Sequence, residues 1–351
     1  MLLFSGLFMV AFASFLAGTD AWPYKVFKQY KMEHGLFYSQ IFGMFLLPWI
    51  VMFCLCDVVK AYNIIGIENL IYANLLSFFF GIATILSTIC LLKIGFVMVG
   101  VLVGGTSLVI STLTPFIFKG SGIFGKAPDI NSPAGIISII AVCFMVVAIY
   151  IISKSGEMRD EQLGLKSAWG KSMSKKETNL YKCLAVLSGL MSPGLMFVNT
   201  YYGPIMSNAT QKAGCGQVMS CLSLWTFGMC GFLFMCCSYS VYLQIKNKNA
   251  NLVWCGKDFW ASIASGVQYM VYLVIFSFGT SLIGPLGAII GNGLCQCVTI
   301  GGEQFVGFVS GEWKGVKGKP VKLLVYGIII LLVGIVLLTV SSYVDKFKIF
   351  L

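Results

Sequence analysis

One histidine and one arginine, His34 and Arg159, serve a chain of 351 residues. Acids are scarce as well: there are thirteen, and charged residues make up 11%, where a soluble globular chain carries about 25%. Each scarcity closes off a chemistry. No apolar stretch holds a histidine, so a Ser–His intramembrane protease has no base. No two aspartates lie deep in the apolar stretches, so an aspartyl dyad has no parts. The phosphate-cradling pattern G-x-x-x-x-G-K-S/T is missing, which removes ATP-driven transport by this chain alone. No basic segment is long and interleaved with aromatics, so nucleic acid is not an expected partner. Cysteine is not scarce, at thirteen. Yet Cys54/Cys56, Cys236/Cys237 and Cys295/Cys297 are too close together, and too poor in neighbouring ligands, for zinc. They read as small packing residues, and no metal or cofactor is expected. His34, beside Glu33, reads as a solvated loop residue. Asp57 and Asp258, at the edges of apolar stretches, read as solvated too.

What fills the chain instead is hydrocarbon. Hydrophobic residues make up 58%, and mean hydropathy is +0.88. Ten apolar stretches of about twenty residues follow one another: 2–19, 36–56, 69–92, 95–118, 134–152, 181–206, 215–245, 258–278, 281–310 and 321–343. A bilayer core of ~30 Å takes about twenty helical residues to cross. Backbone amides in lipid must bond within their own segment, so the stretches are helices. The first lacks the positive flank of a secretory signal and reads as a retained span. The expected fold is an all-α polytopic membrane protein with ten transmembrane helices as two inverted five-helix repeats. Residues 1–152 and 181–351 form the repeats, and 153–180 is a polar loop rich in Lys and Glu.

Charge orients the chain. Odd-numbered loops hold eighteen of the 24 basic residues; even-numbered loops and the C-terminal tail hold six. Positive loops stay cytoplasmic, which puts the 153–180 loop inside and both termini outside. The layout repeats. In each half the third and fourth spans are nearly fused, a glycine-rich fourth span follows, and a plain apolar helix closes the half. Gly100 and Gly104 mark a small-residue face in the fourth span, and Gly287 and Gly291 mark one in the ninth. An odd number of spans per half inverts the second half, a recurrent transporter plan with the substrate held near the midplane.

Two acids and a set of neutral polar residues could carry function. Glu303 lies well inside the ninth span, where a charge costs ~2.5–3.5 kcal/mol on insertion scales. It is a candidate proton-coupling site or a hydrogen-bonded structural acid, and Asp20, at the end of the first span, is the second candidate. Gln268, Tyr269 and Tyr272 lie together in the eighth span, Asn292 and Gln296 fall one turn apart in the ninth, and Asn199 belongs to a polar cluster in the sixth. Sugars present hydroxyls plus an apolar C–H face, which rings and neutral amides match; a phosphorylated ligand would call for cations inside. Tyrosines in interfacial belts, and hydroxyls bonding their own helix, are the plainer account of each residue alone.

Several landmarks run in order along nearly the whole chain. They are Trp22-Pro23-Tyr24-Lys25, Leu46-Leu47-Pro48-Trp49, Thr112-Leu113-Thr114-Pro115, Gly156-Glu157-Met158 through Gly164-Leu165-Lys166, and Gly311-Glu312-Trp313. In that order the chain resembles the L-rhamnose–proton symporter family, within the drug/metabolite transporter superfamily. The resemblance implies ten spans and proton-coupled import of a deoxysugar. Glu303 and Asp20 come from the chain's own chemistry, not from that pattern. The expectation is a secondary transporter, not an enzyme, in the plasma membrane. Its partners are a small neutral sugar (L-rhamnose first), a proton and the lipid bilayer. The rivals are a drug or metabolite exporter, a carrier of another sugar on the same fold, and a receptor that binds without moving its ligand.

Overall fold

A computed structural model describes residues 2–107, 109–110, 131–164, 174–254, 256–283 and 287–349. The fourth span beyond 110, the Thr112–Pro115 landmark and the middle of the 153–180 loop lie outside the described residues. Among the described residues the chain is helical throughout, with no strand. In chain order the helices are α1 (Leu2–Thr19), α2 (Met32–Leu55), α3 (Val58–Ile65), α4 (Ile67–Ile94), α5 (Phe96–Val99, continued by a π-helical turn Gly100–Gly104), α6 (Pro133–Gln162), α7 (Lys175–Met191), α8 (Gly194–Tyr201), α9 (Gly203–Lys212), α10 (Cys230–Lys246), α11 (Gly256–Ile283), α12 (Gly287–Val309) and α13 (Lys319–Ile349). Six helices are long and apolar enough to cross a bilayer: Leu3–Val26, Met32–Leu55, Ile67–Ile94, Pro133–Arg159, Gly256–Ile283 and Lys319–Leu337. A seventh is the pair Met219–Gly228 and Cys230–Lys246, bent by 58°. The sixth apolar stretch is broken where Pro193 and Pro204 open new helices, because proline lacks the N–H that continues one. Helix also runs past the apolar residues at both edges of the 153–180 segment, in α6 as far as Gln162 and in α7 from Lys175.

The helices divide between two compact units. The first comprises Met1–Gly18, Leu86–Leu190 and Gly279–Leu351. Here α6 and α13 lie antiparallel along most of their length. Ser341 Oγ donates to Ala134 O (2.7 Å) at one end, and Ser155 Oγ donates to Pro320 O (2.7 Å) at the other. Ala141, Met145 and Ala148 pack with Leu331 between them. Ser132 caps α6, its Oγ accepting from Gly135 N–H at 3.0 Å. α5 runs antiparallel to α12, Gly100 facing Glu303 and Gly104 facing Ile300. α1 runs parallel to α12, Ser14 O accepting from Thr299 Oγ1 (3.2 Å) and Gly18 touching Gly302. The N-terminal turns of α1 run antiparallel to the end of α11, where Gly6 meets Leu282 and Ile283 while Met9 and Val10 meet Gly279.

The second unit comprises Thr19–Ile85 and Met191–Phe278. α4 runs parallel to the bent span: Asn74 Nδ2 donates to Phe227 O (2.8 Å), and Phe232 N–H donates to Ser77 Oγ (3.2 Å). α2 runs antiparallel to that span, Trp49 lying on Phe227 and Glu33 near Gln244. α2 and α11 are parallel and cross at glycine: a Cβ on Gly43 would lie 2.3 Å from Gly266 Cα. Backbone on backbone leaves no flexible atom to yield. Gly43→Ala is therefore expected to destabilise the protein by about 1–3 kcal/mol, read as a lower melting temperature in detergent; an unchanged value would mean that the helices part freely. α3 begins at Asp57, exposed as the sequence suggests, whose Oδ1 caps Lys60 N–H at 2.9 Å.

Candidate functional site

The second unit holds a continuous run of rings. Phe80, Phe232, Trp225, Tyr269, Tyr272 and Phe276 follow one another with centroids 5.1–6.0 Å apart. Five of them come from α11 and the bent span, where a π-helical turn, Leu224–Gly228, precedes the break at Met229. π-Helical turns inside helices often mark functional sites, and a second one, Ser39–Leu46, interrupts α2. The two turns pack on each other within this unit.

Neutral polar groups accompany the rings. Gln268 Nε2 donates to Thr19 Oγ1 at 2.9 Å, and its Oε1 accepts from Trp22 Nε1 at 3.1 Å. Ser265 Oγ donates to Asp20 O at 2.7 Å. Three further atoms, Gln40 Oε1, Trp49 Nε1 and Ser223 Oγ, are buried without a hydrogen-bond partner. A buried polar atom left unpaired costs about 1–3 kcal/mol. Spacing along the sequence does not single them out, because Gln40 and Ser223 look like any neutral residue in an apolar run.

The expected set therefore divides. Gln268, Tyr269, Tyr272 and Asp20 come together in the second unit, while Asn199 of the same unit is exposed on α8. Asn292, Gln296 and Glu303 belong to α12 of the first unit, and the side chains of Asn292 and Gln296 lie outside the described residues. Glu303 is half-buried, and its carboxylate occupies the room left by Gly100: a Cβ there would sit 1.7 Å from Oε2.

Two readings of loop residues need correcting. Asp258 is buried, not solvated: its Oδ2 accepts the backbone N–H groups of Lys28 (2.9 Å), Gln29 (2.7 Å) and Tyr30 (3.0 Å). His34 is fully buried: Lys31 N–H donates to Nδ1 (3.3 Å), so Nε2 carries the proton and donates to Asn249 O (3.0 Å). Glu33 beside it accepts from the Asn247 and Asn249 side chains at 2.8 and 2.7 Å. The acids turn inward because main-chain and amide donors converge on them from the 246–258 segment and from residues 28–30.

In the first unit the single arginine closes a clasp. Arg159 Nη1 donates to Glu312 Oε2 at 2.9 Å, with the two side chains 4% and 14% exposed. Its guanidinium lies 5.3 Å from the Trp313 ring centroid. Glu157 accepts from Lys154 at 3.0 Å and pairs also with Lys182. Among the described residues, no group of three or more His, Cys, Asp or Glu could hold a metal.

Six helices long and apolar enough to cross a bilayer, with an aromatic run edged by neutral polar groups, define a multi-pass helical membrane protein. A family profile described as L-rhamnose-proton symport protein (RhaT) matches residues 3–342, and the chain belongs to that family. Among curated relatives, the L-rhamnose-proton symporter of Pectobacterium atrosepticum is 24% identical over 328 residues, 89% of this chain and 90% of that protein. Those of Citrobacter koseri and Pectobacterium carotovorum are 23% and 25% identical, with the same coverage. No solved structure matches significantly.

Proposed function

We propose that this chain is a secondary active transporter that takes up L-rhamnose together with protons. The observation that carries the reading is the ring run from Phe80 to Phe276, with the unpaired Gln40, Trp49 and Ser223 atoms in the same unit. A deoxysugar offers a C–H face to rings and hydroxyls to neutral amides. The relatives' names point the same way. Glu303 serves as the proton site, with Asp20 as the alternative. The protein is a carrier, not an enzyme.

Ten alternating spans and two inverted five-helix repeats complete the proposal. Helix directions inside each unit support it. Numbered as ten spans, the pairs that run parallel are 1 with 9, 2 with 8, and 3 with 7; antiparallel pairs are 1 with 8, 2 with 7, 4 with 9, and 5 with 10. Every pair obeys the parity that alternate crossing demands. The lysine-rich odd loops then face the cytoplasm of a plasma-membrane protein, with both termini outside.

Purified protein in liposomes should accumulate labelled L-rhamnose under an inward proton gradient, and a protonophore should abolish the accumulation. Folded protein that moves no sugar would remove the proposal; flux of apolar amines instead would favour an exporter. Ser223→Ala and Gln40→Leu are expected to act with opposite signs. Each removes an unpaired buried atom and should raise fold stability by up to about 1 kcal/mol. Each should also weaken sugar binding about tenfold, a loss of about 1.4 kcal/mol. Melting curves and ligand titration separate the two effects.

A further inference from the structure

Two cysteines at the Asp57 end of α2 do not belong to the sugar site. Asp57 N–H donates to Ala213 O at 3.0 Å, which ties the start of α3 to the end of α9. One residue further on, a Cβ built on Gly214 would lie 4.0 Å from Leu55 O, and Gly214 takes a φ of +106° to turn the chain there. Cys56 sits between Leu55 and Asp57, and Cys215 follows Gly214. Both backbones are anchored, Cys56 N–H on Met52 O at 3.0 Å and Cys215 N–H on Thr210 O at 2.9 Å. The bonded residues, Asp57 and Ala213, stand one and two positions from Cys56 and Cys215, so the bond brings the two cysteine-bearing segments side by side. Both are free thiols in the structure, Cys56 Sγ donating to Met52 O at 3.4 Å, and Cys215 is 6% exposed.

We propose that Cys56 and Cys215 form a disulfide, a covalent staple between the α2–α3 turn and the segment that follows α9. The inference rests on the proposed topology, which places both segments outside the membrane, where disulfides persist. The oxidant is an extracytoplasmic dithiol oxidase acting through its own disulfide. One thiolate attacks the oxidase disulfide and forms a mixed disulfide; the second thiolate displaces the oxidase. The chain loses two electrons and two protons, and the oxidase leaves as a dithiol.

The experiment has two arms on the full-length protein. Membranes are denatured in detergent with a thiol-blocking maleimide, digested without reductant and mapped by mass spectrometry. A Cys56–Cys215 cross-linked peptide is expected; it should vanish on reduction and be missing from Cys56→Ser. Both cysteines found alkylated, or Cys215 joined to Cys221 instead, would overturn the staple. The second arm treats intact cells with a membrane-impermeant amine reagent. Labelling of the exposed Lys60 and Lys212 is expected. Labelled lysines with free thiols sink the disulfide and leave the topology standing. Unlabelled lysines sink the topology, and the staple with it.

Discussion

Arg159→Met is expected to cost about 3–5 kcal/mol of stability, the usual penalty when one partner of a buried ion pair is removed. The pair is only 4% and 14% exposed, beside an apolar cluster that includes Val101, Ile152, Trp313 and Leu324, and the variant removes the 2.9 Å partner of Glu312 there. The stacking of the guanidinium on Trp313 would be lost as well. Arg159→Lys should recover only part, because an ammonium neither stacks flat on the indole nor reproduces the planar fork. The double variant Arg159→Met/Glu312→Leu should regain most of the loss, since two matched apolar groups leave nothing charged in the cluster. Melting temperature and monodispersity in detergent check all three. A single variant as stable as the parent would mean that the clasp is open in solution.

The second large effect concerns coupling. Glu303→Gln should abolish accumulation against a gradient while leaving sugar exchange intact, because a neutral amide cannot carry the proton. Unchanged accumulation would exclude Glu303 and turn attention to Asp20. Gly100→Ala tests the same carboxylate from the opposite helix. Its new methyl would fall 1.7 Å from Oε2, the mobile end of the Glu303 side chain, so the carboxylate must move while the helices stay. The expectation is a fall in accumulation of tenfold or more with fold stability within about 1 kcal/mol of the parent, in contrast to Gly43→Ala, where backbone blocks relaxation. Loss of folded protein in Gly100→Ala would show that this contact carries the packing of α5 on α12 instead.

Six long spans and the bent pair were legible because lipid imposes a length and a composition on anything that crosses it, while the breaks at Pro193, Pro204 and Met229 lie inside what hydropathy marks as single stretches. The α5–α12 glycine face was half legible: Gly100 and Gly104 were visible, but their partner is the Glu303–Ile300 side of α12, a pairing no local pattern encodes. Asp258 and His34 were misread for one physical reason. Asp258 accepts main-chain N–H groups, and His34 donates to a main-chain carbonyl, from segments more than two hundred residues away, and main-chain groups leave no trace in side-chain identity. Of the ring run, Tyr269 and Tyr272 stood out by spacing on one helix. Trp225 and Phe232 did not, because the bend at Met229 carries them there.

Because one guanidinium serves the whole chain, a dicarbonyl reagent selective for that group has a single address on this protein. That address is shut behind an indole and a carboxylate, so the rate at which the reagent is consumed times the opening of one latch. The transporter carries its own stopwatch, with no label to install.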